Sequence, residues 1–296
     1  MNSYGQTRIM KPLTEMEELM YKSAVGVVTC NSATYIQEWI AFQYLTGFDK
    51  IIVCLDECDD DTFAKIQGLP DEVLERVDVF ENSPHTKSIG FQHRGYQHIY
   101  NRYEGRVEWL AMFDDDEYLY DSQKRKINEM LASIPDDVGQ VAIPWIKFTH
   151  SKQVLSAPPD VTRLRHFTHK ESSHQVECKV VVRLDRIMTN DIPGGWYHCH
   201  RAEVSGKTVT FDGKESTILG TMIIPEHYDT CLAHYIHGAM EDWVAKYRKW
   251  KREQERLDLR IQRSFDDLAK SESSDVDNRM DIYVDELKEV LLQCKQ

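Results

Sequence analysis

The sequence predicts an α/β protein built on a mostly parallel sheet flanked by helices, with a C-terminal helical extension. Three observations predict it. Short β-branched runs alternate with helical periodicities from residue 24 to residue 113, in the order strand, helix, strand, helix, strand, helix, strand, which is the pattern of right-handed βαβ crossovers. Two of those runs end in acidic clusters, Asp56-Glu57-Cys58-Asp59-Asp60-Asp61 and Asp114-Asp115-Asp116-Glu117, and the carboxyl ends of strands are where open α/β sheets take their ligands. With 296 residues, 41% of them hydrophobic and only 9 prolines, the chain can enclose a sizeable core.

Residues 1–22 read as a lead-in ending in a short helix, Thr14 to Lys22. Ala24 to Cys30 is the first strand, with Gly26 admitting close approach of another backbone. A helix follows from about Thr34 to Thr46. Tyr35, Ile36, Trp39, Ile40 and Phe42 recur at helical spacing, Thr34 and Gln37 suit a capping box, and Gly47 is a natural stop. Lys50 to Leu55 is the second strand and Thr62 to Gln67 a helix broken by Pro70. Arg76 to Phe80 is the third strand, and Lys87 to Tyr103 a helix leading into Val107 to Phe113. That run, rich in Trp, Leu, Met and Phe, has the composition of a strand buried on both faces.

Beyond it, Lys124 to Ser133 reads as an amphipathic helix and Gln140 to Phe148 as a strand. Residues 149–175, polar and broken at Pro158-Pro159, suggest a long mobile surface loop. Val176 to Leu184 is a strand in which Lys179 and Arg183 share a face by period two. Residues 185–237 look irregular apart from a short strand near Val204 to Phe211. A basic helix spans about Met240 to Arg263, a flexible link Ser271 to Ser274, and a last amphipathic helix Asp281 to Gln293. No Gly-x-Gly-x-x-Gly, P-loop or Gly-x-Ser-x-Gly element occurs, which argues against dinucleotide binding, P-loop chemistry and a serine hydrolase.

Net charge is -13, which argues against a nucleic-acid partner. No apolar run approaches the ~20 residues that cross a bilayer. The polar first 22 residues do not look like a secretory signal, and seven cysteines without paired spacing fit a reducing compartment, so a cytoplasmic location is expected. The basic helix offers a weak membrane-surface contact as one reading, and a solvated helix packed through its aromatics as the other.

Asp114 and Asp116, one residue apart after a buried strand, are placed to converge on a hard divalent cation, Mn²⁺ or Mg²⁺, which prefers oxygen ligands and shares them with phosphates. A solvated acidic turn is the competing account of the same residues. Eight of the twelve histidines fall between residues 166 and 237.

Four stretches together resemble a known family. Asn31 with Tyr35-Ile36-Gln37-Glu38-Trp39-Ile40-Ala41-Phe42 and Gly47-Phe48-Asp49-Lys50-Ile51 resembles the Asn-Glu-x-x-x-Ile-x-Glu-Trp opening of the glycosyltransferase family 2-like group, related to family 92. Trp109 to Leu119 resembles its Trp-x-x-x-(Leu/Ile)-Asp-x-Asp-Glu-Phe element, Lys179 to Arg183 its Lys-x-Ile-Val-Arg strand, and His234-Tyr235 with Glu241-Asp242-Trp243 and Lys246 its closing helix. The chain departs from the pattern at Ser32, where an acid is usual, at Gly238-Ala239, where Lys-Ser is usual, and in the loop after Asp56.

The resemblance implies a GT-A fold, Rossmann-like, with a nucleotide-sugar donor, most simply UDP-linked, a glycan acceptor, and Mn²⁺ or Mg²⁺. It divides one catalytic domain into a lead-in (1–22), a nucleotide-sugar-binding half (23–120), an acceptor-binding half (121–240) and C-terminal helices (241–296). Thr29, Asn31, Asp56, Asp114, Asp115, Lys179 and Arg183 are then expected at the donor. Asp116 is expected on the metal, with Asp114 there or at the ribose, and with His234 or its competitor His200. Inversion is implied, needing a general base, for which Glu171 and Asp191 are the candidates. A nucleotidyltransferase on a similar sheet and an inactive sugar- or nucleotide-binding relative are the alternatives.

Overall fold

The computed structural model describes residues 21–82, 91–151, 153, 155–158, 161–171, 177–188, 197–219, 222–223, 229–236, 238–239, 241–242, 244 and 272–295. The expected helix over residues 14–22, the basic helix and Asp191 lie partly or wholly outside them. Tyr21 and Lys22, read as the end of the lead-in, belong to the first strand.

A mixed sheet of nine strands organises the fold. β1 (Tyr21–Thr29), β2 (Lys50–Leu55), β3 (Val77–Glu81) and β4 (Val107–Met112) run parallel in the order β3-β2-β1-β4. The helices α1 (Ile36–Thr46), α2 (Thr62–Gln67), α3 (Asp71–Leu74) and α4 (Phe91–Tyr103) fill the crossovers. Because the four strands share a direction, the acids after β2 and after β4 emerge on the same edge, as expected.

The sheet continues with strands of both directions. β5 (Glu117–Asp121) leaves the acidic run almost at once, and β6 (Val138–Lys147) follows α5 (Ile127–Ala132). Past α6 (Arg163–His166) and β7 (His169–Glu171), β8 (Cys178–Arg183) inserts antiparallel between β4 and β6. The strand Thr230–His234 runs parallel to β6 and antiparallel to β5, and Lys207–Val209 adds to the far end of β6.

Side chains alternate across β4 into two apolar layers. Trp109, Ala111 and Phe113 join the layer with Trp39, Phe42, Val141 and Leu232, on the side of α1, α5 and the helix Asp281–Leu291. Leu110 and Met112 join Tyr96 and Ile99 under α4. The strand is therefore buried on both faces. Gly26 is needed where β1 passes beneath this second layer, since a Cβ there would stand 2.8 Å from the Met112 sulfur. Gly47 ends α1 at φ 89°, donating its N–H to the Tyr44 carbonyl at 3.1 Å.

Several expectations are corrected. The predicted Thr34/Gln37 capping box is absent: α1 starts at Ile36 with no side-chain cap. Residues 185–237, read as irregular, supply the sheet strand Thr230–His234, whose Thr-Cys-Leu-Ala-His is too short to show a period. Of the expected flexible link Ser271–Ser274, Ser271 lies outside the described residues and the rest belongs to a strand, Glu272–Val276, that pairs with β7. Stretches of the expected mobile loop over 149–175 are built into the fold. Thr149 and His150 are buried, the Thr149 N–H reaches the His169 carbonyl at 2.8 Å, and α6 and β7 lie within it. Polarity suggested a loop there, but these polar groups are used inside. No helix among the described residues is long and apolar enough to cross a membrane.

Candidate metal centre

The turn between β4 and β5 is set by hydrogen bonds within it. The Glu117 N–H reaches the Asp114 carbonyl at 3.1 Å, and the Asp114 N–H donates to the Glu117 carboxylate at 2.7 Å. The register of the neighbouring strand then delivers the histidine: His234 lies opposite Glu117 across the antiparallel pair. One ligand atom each from Asp114, Asp116 and His234 fall within 4.8 Å of one another. His234 Nε2 stands 3.3 Å from Asp116 Oδ1, and both side chains are about 5% exposed. Two carboxylates and an imidazole at this separation, with Asp116 and His234 buried and Asp114 partly exposed, form a donor set that could hold a divalent cation.

Asp114 is the more heavily engaged acid. Gln92 Nε2 and the Tyr96 hydroxyl, both on α4, reach its Oδ1 at 2.7 and 3.3 Å, and Lys179 Nζ reaches its Oδ2 at 3.0 Å. Lys179 is completely buried and also pairs with the buried Glu117 at 3.2 Å. Burial is the largest influence on Asp114 and opposes its charge, yet the charge and hydrogen bond of Lys179, together with His234, hold this carboxyl below the usual range. For Glu117 the balance reverses: burial pushes its carboxyl well up, against the pull of Lys179. Burial also works against the charge on Lys179, but Asp114, Cys199 and Glu117 hold its pKa well above that of a free lysine.

Asp115 points away from its neighbours. Its carboxylate accepts the Thr29 hydroxyl at 2.7 Å and the Ser32 hydroxyl. Thr29 and Asp115 are thus brought together as a tie between β1 and the acidic turn, and Ser32 completes it. Asn31, left-handed at φ 52°, exchanges side-chain hydrogen bonds with Asp59 in the loop after β2. Asp56 ends β2 on the same edge, accepting Asn82 Nδ2 at 2.8 Å with Arg94 at 3.7 Å.

Other candidates fall elsewhere. Arg183 pairs in register with Trp109, near the start of β4, where it binds Glu108 at 3.1 Å. Period two put it on the face of Lys179, but four residues of strand carry it to the opposite end of the sheet. His200 does not join the cluster. Its Nδ1 bonds the Cys178 carbonyl at 2.6 Å, and burial, then Lys179, lower its pKa. Trp145 stands beside both histidines, with its ring 4.3 Å from that of His234 and 5.1 Å from that of His200. Glu171 closes β7 opposite Glu272, and Asp191 lies outside the described residues.

Sequence reasoning misses Glu117, Gln92 and Tyr96. Glu117 was visible as the fourth acid of the run; the others come from distant segments and carry no local signal. Compared with known proteins, the chain matches no family model and no curated protein.

Proposed function

We propose that the chain is a metal-dependent glycosyltransferase of GT-A type. It moves a sugar from a nucleotide sugar, most simply a UDP-sugar, to a hydroxyl of a glycan acceptor with inversion. The observation that carries this reading is the convergence of Asp114, Asp116 and His234 on the carboxyl edge of parallel strands, beside the β1 and β2 ends where a nucleotide would lie. In the transfer the acceptor oxygen bonds to the anomeric carbon, the bond from that carbon to the diphosphate breaks, and the hydroxyl proton passes to a base, for which Glu171 and Asp191 remain the sequence candidates. A bound Mn²⁺ or Mg²⁺ supplies positive charge for the departing diphosphate. On this chain's side, Lys179 keeps Asp114 ionised, and the buried setting of Asp116 and His234 limits competition from water. Cysteine usage favours a cytoplasmic reaction.

The test is a panel of nucleotide sugars with Mn²⁺, scored for slow donor hydrolysis without acceptor. Release of free UDP supports transfer. Pyrophosphate from nucleoside triphosphates would indicate a nucleotidyltransferase instead, and binding without turnover an inactive relative.

A further inference from the structure

We infer that Arg163 is a positioning residue for the metal centre, fixing the peptide that joins its two carboxylates. The inference rests on the metal-centre reading above. Arg163 opens α6, within the stretch that sequence alone assigns to a mobile loop, and it is buried. Its guanidinium NH1 donates to the Asp115 carbonyl at 3.0 Å, the carbonyl between Asp114 and Asp116.

The backbone and the guanidinium of Arg163 are held by separate contacts. The Arg163 N–H reaches both oxygens of the Glu38 carboxylate, at 2.8 and 3.0 Å, so that α1 carries the start of α6. The guanidinium carbon lies 3.6 Å from the centroid of the Tyr35 ring, a close cation–π contact. Tyr35 in turn is tied by its hydroxyl to Asp242 at 3.0 Å and by the Ala157 N–H at 3.0 Å.

The turn needs such a clamp. Asp115 has its carboxylate pulled toward Thr29 and Ser32, while Asp114 is pulled toward α4 and Lys179. The Asp116 carbonyl accepts the Tyr235 N–H at 2.9 Å, which holds the far end of the turn to the strand bearing His234. Arg163 holds the middle. A charged, planar donor with a stacked face loses little freedom in making this bond, and a metal site gains affinity when its ligands are held before the ion arrives.

Arg163→Met, Arg163→Lys and Glu38→Gln are compared with the unaltered chain by Mn²⁺ titration, read by electron paramagnetic resonance, with thermal unfolding measured in parallel. Arg163→Met is expected to weaken Mn²⁺ about tenfold or more and to broaden the bound-ion spectrum. Arg163→Lys recovers part of the affinity, because one donor is restored. Glu38→Gln alters the anchorage of α6 without touching Asp115, so it leaves Mn²⁺ affinity within about threefold. Equal Mn²⁺ affinity and spectrum in folded Arg163→Met overturn the inference, as does an equal loss in Glu38→Gln, which would make the effect one of general packing. Absence of Mn²⁺ binding by the unaltered chain sinks the metal-centre reading itself and this inference with it, a result separable from the other two.

Discussion

His234 sits directly across from Glu117 in an antiparallel pair, and its Nε2 stands 3.3 Å from the Asp116 carboxylate. The histidine comes from more than a hundred residues downstream, yet its distance from the acid depends on backbone register. A one-residue slip of that strand would turn the imidazole to the other face. The site is thus built from a strand end and a short hydrogen-bonded turn between two strands, which holds its donors in a narrow range of positions.

Lys179 should matter first for folding. It is buried between Asp114 and Glu117, so Lys179→Met leaves two acids facing each other without a counter-charge. Breaking a buried pair by removing one partner costs about 3–5 kcal/mol. Urea unfolding in the presence of a chelator should show a loss of that order, and adding Glu117→Gln should recover part of it by removing the deeper acid. A loss below about 1 kcal/mol would mean that water already reaches this cluster.

Glu38 should give stability a pH dependence. Burial pushes its carboxyl to about 7 from an ordinary 4.5, against the N–H bonds and charge of Arg163. The folded chain therefore holds a proton that the unfolded chain has released between those two values. The stabilisation from this group is full below pH 4.5 and is lost as pH rises toward 7, a change of about 3 kcal/mol. Glu38→Gln removes that dependence, so the variant gains stability relative to the unaltered chain at pH 8 compared with pH 4.5. Parallel stability curves for the two proteins across this window would contradict the assignment.

Much of this architecture was legible in the sequence, for reasons that differ by residue. Strands β1, β2 and β4 stand out because their buried stretches are almost continuously apolar, and Asp56 and the Asp114–Glu117 run mark where β2 and β4 end. His234 was found by resemblance, but its place in a strand was not, since five residues beginning with Thr-Cys carry no readable period. Arg183 was misplaced because period two gives a face and says nothing of which end of the sheet a residue reaches. Arg163 and Gln92 were invisible: each meets the site through tertiary packing alone.

Asp56 tests the nucleotide half of the proposal. It ends β2 on the ligand edge and is only 6% exposed, with Asn82 holding one oxygen at 2.8 Å. Asp56→Ala removes an acceptor from the place a base would occupy and should weaken UDP binding by about 1–3 kcal/mol. Calorimetric titration with Mn²⁺ present measures it. Unchanged affinity in a folded variant would confine Asp56 to bracing Asn82.

The metal ligands give the sharpest test. Asp116→Asn preserves shape and removes one negative charge and a strong oxygen donor from a nearly dry site. Two close carboxylates favour a cation between them, and a docked diphosphate makes that cation more necessary still. Turnover of a nucleotide sugar should therefore fall by orders of magnitude in Asp116→Asn, while the unfolding temperature holds or rises, since the turn lies at the edge of the sheet and loses like-charge repulsion. His234→Ala should act in the same direction but more mildly, and Mn²⁺ affinity should fall with it. His200→Ala should leave Mn²⁺ affinity close to unchanged, because its ring is committed to the Cys178 carbonyl. If His200→Ala is the damaging change and His234→Ala is silent, the third ligand has been assigned to the wrong histidine. Turnover that survives Asp116→Asn together with exhaustive chelation would remove the metal from the reaction.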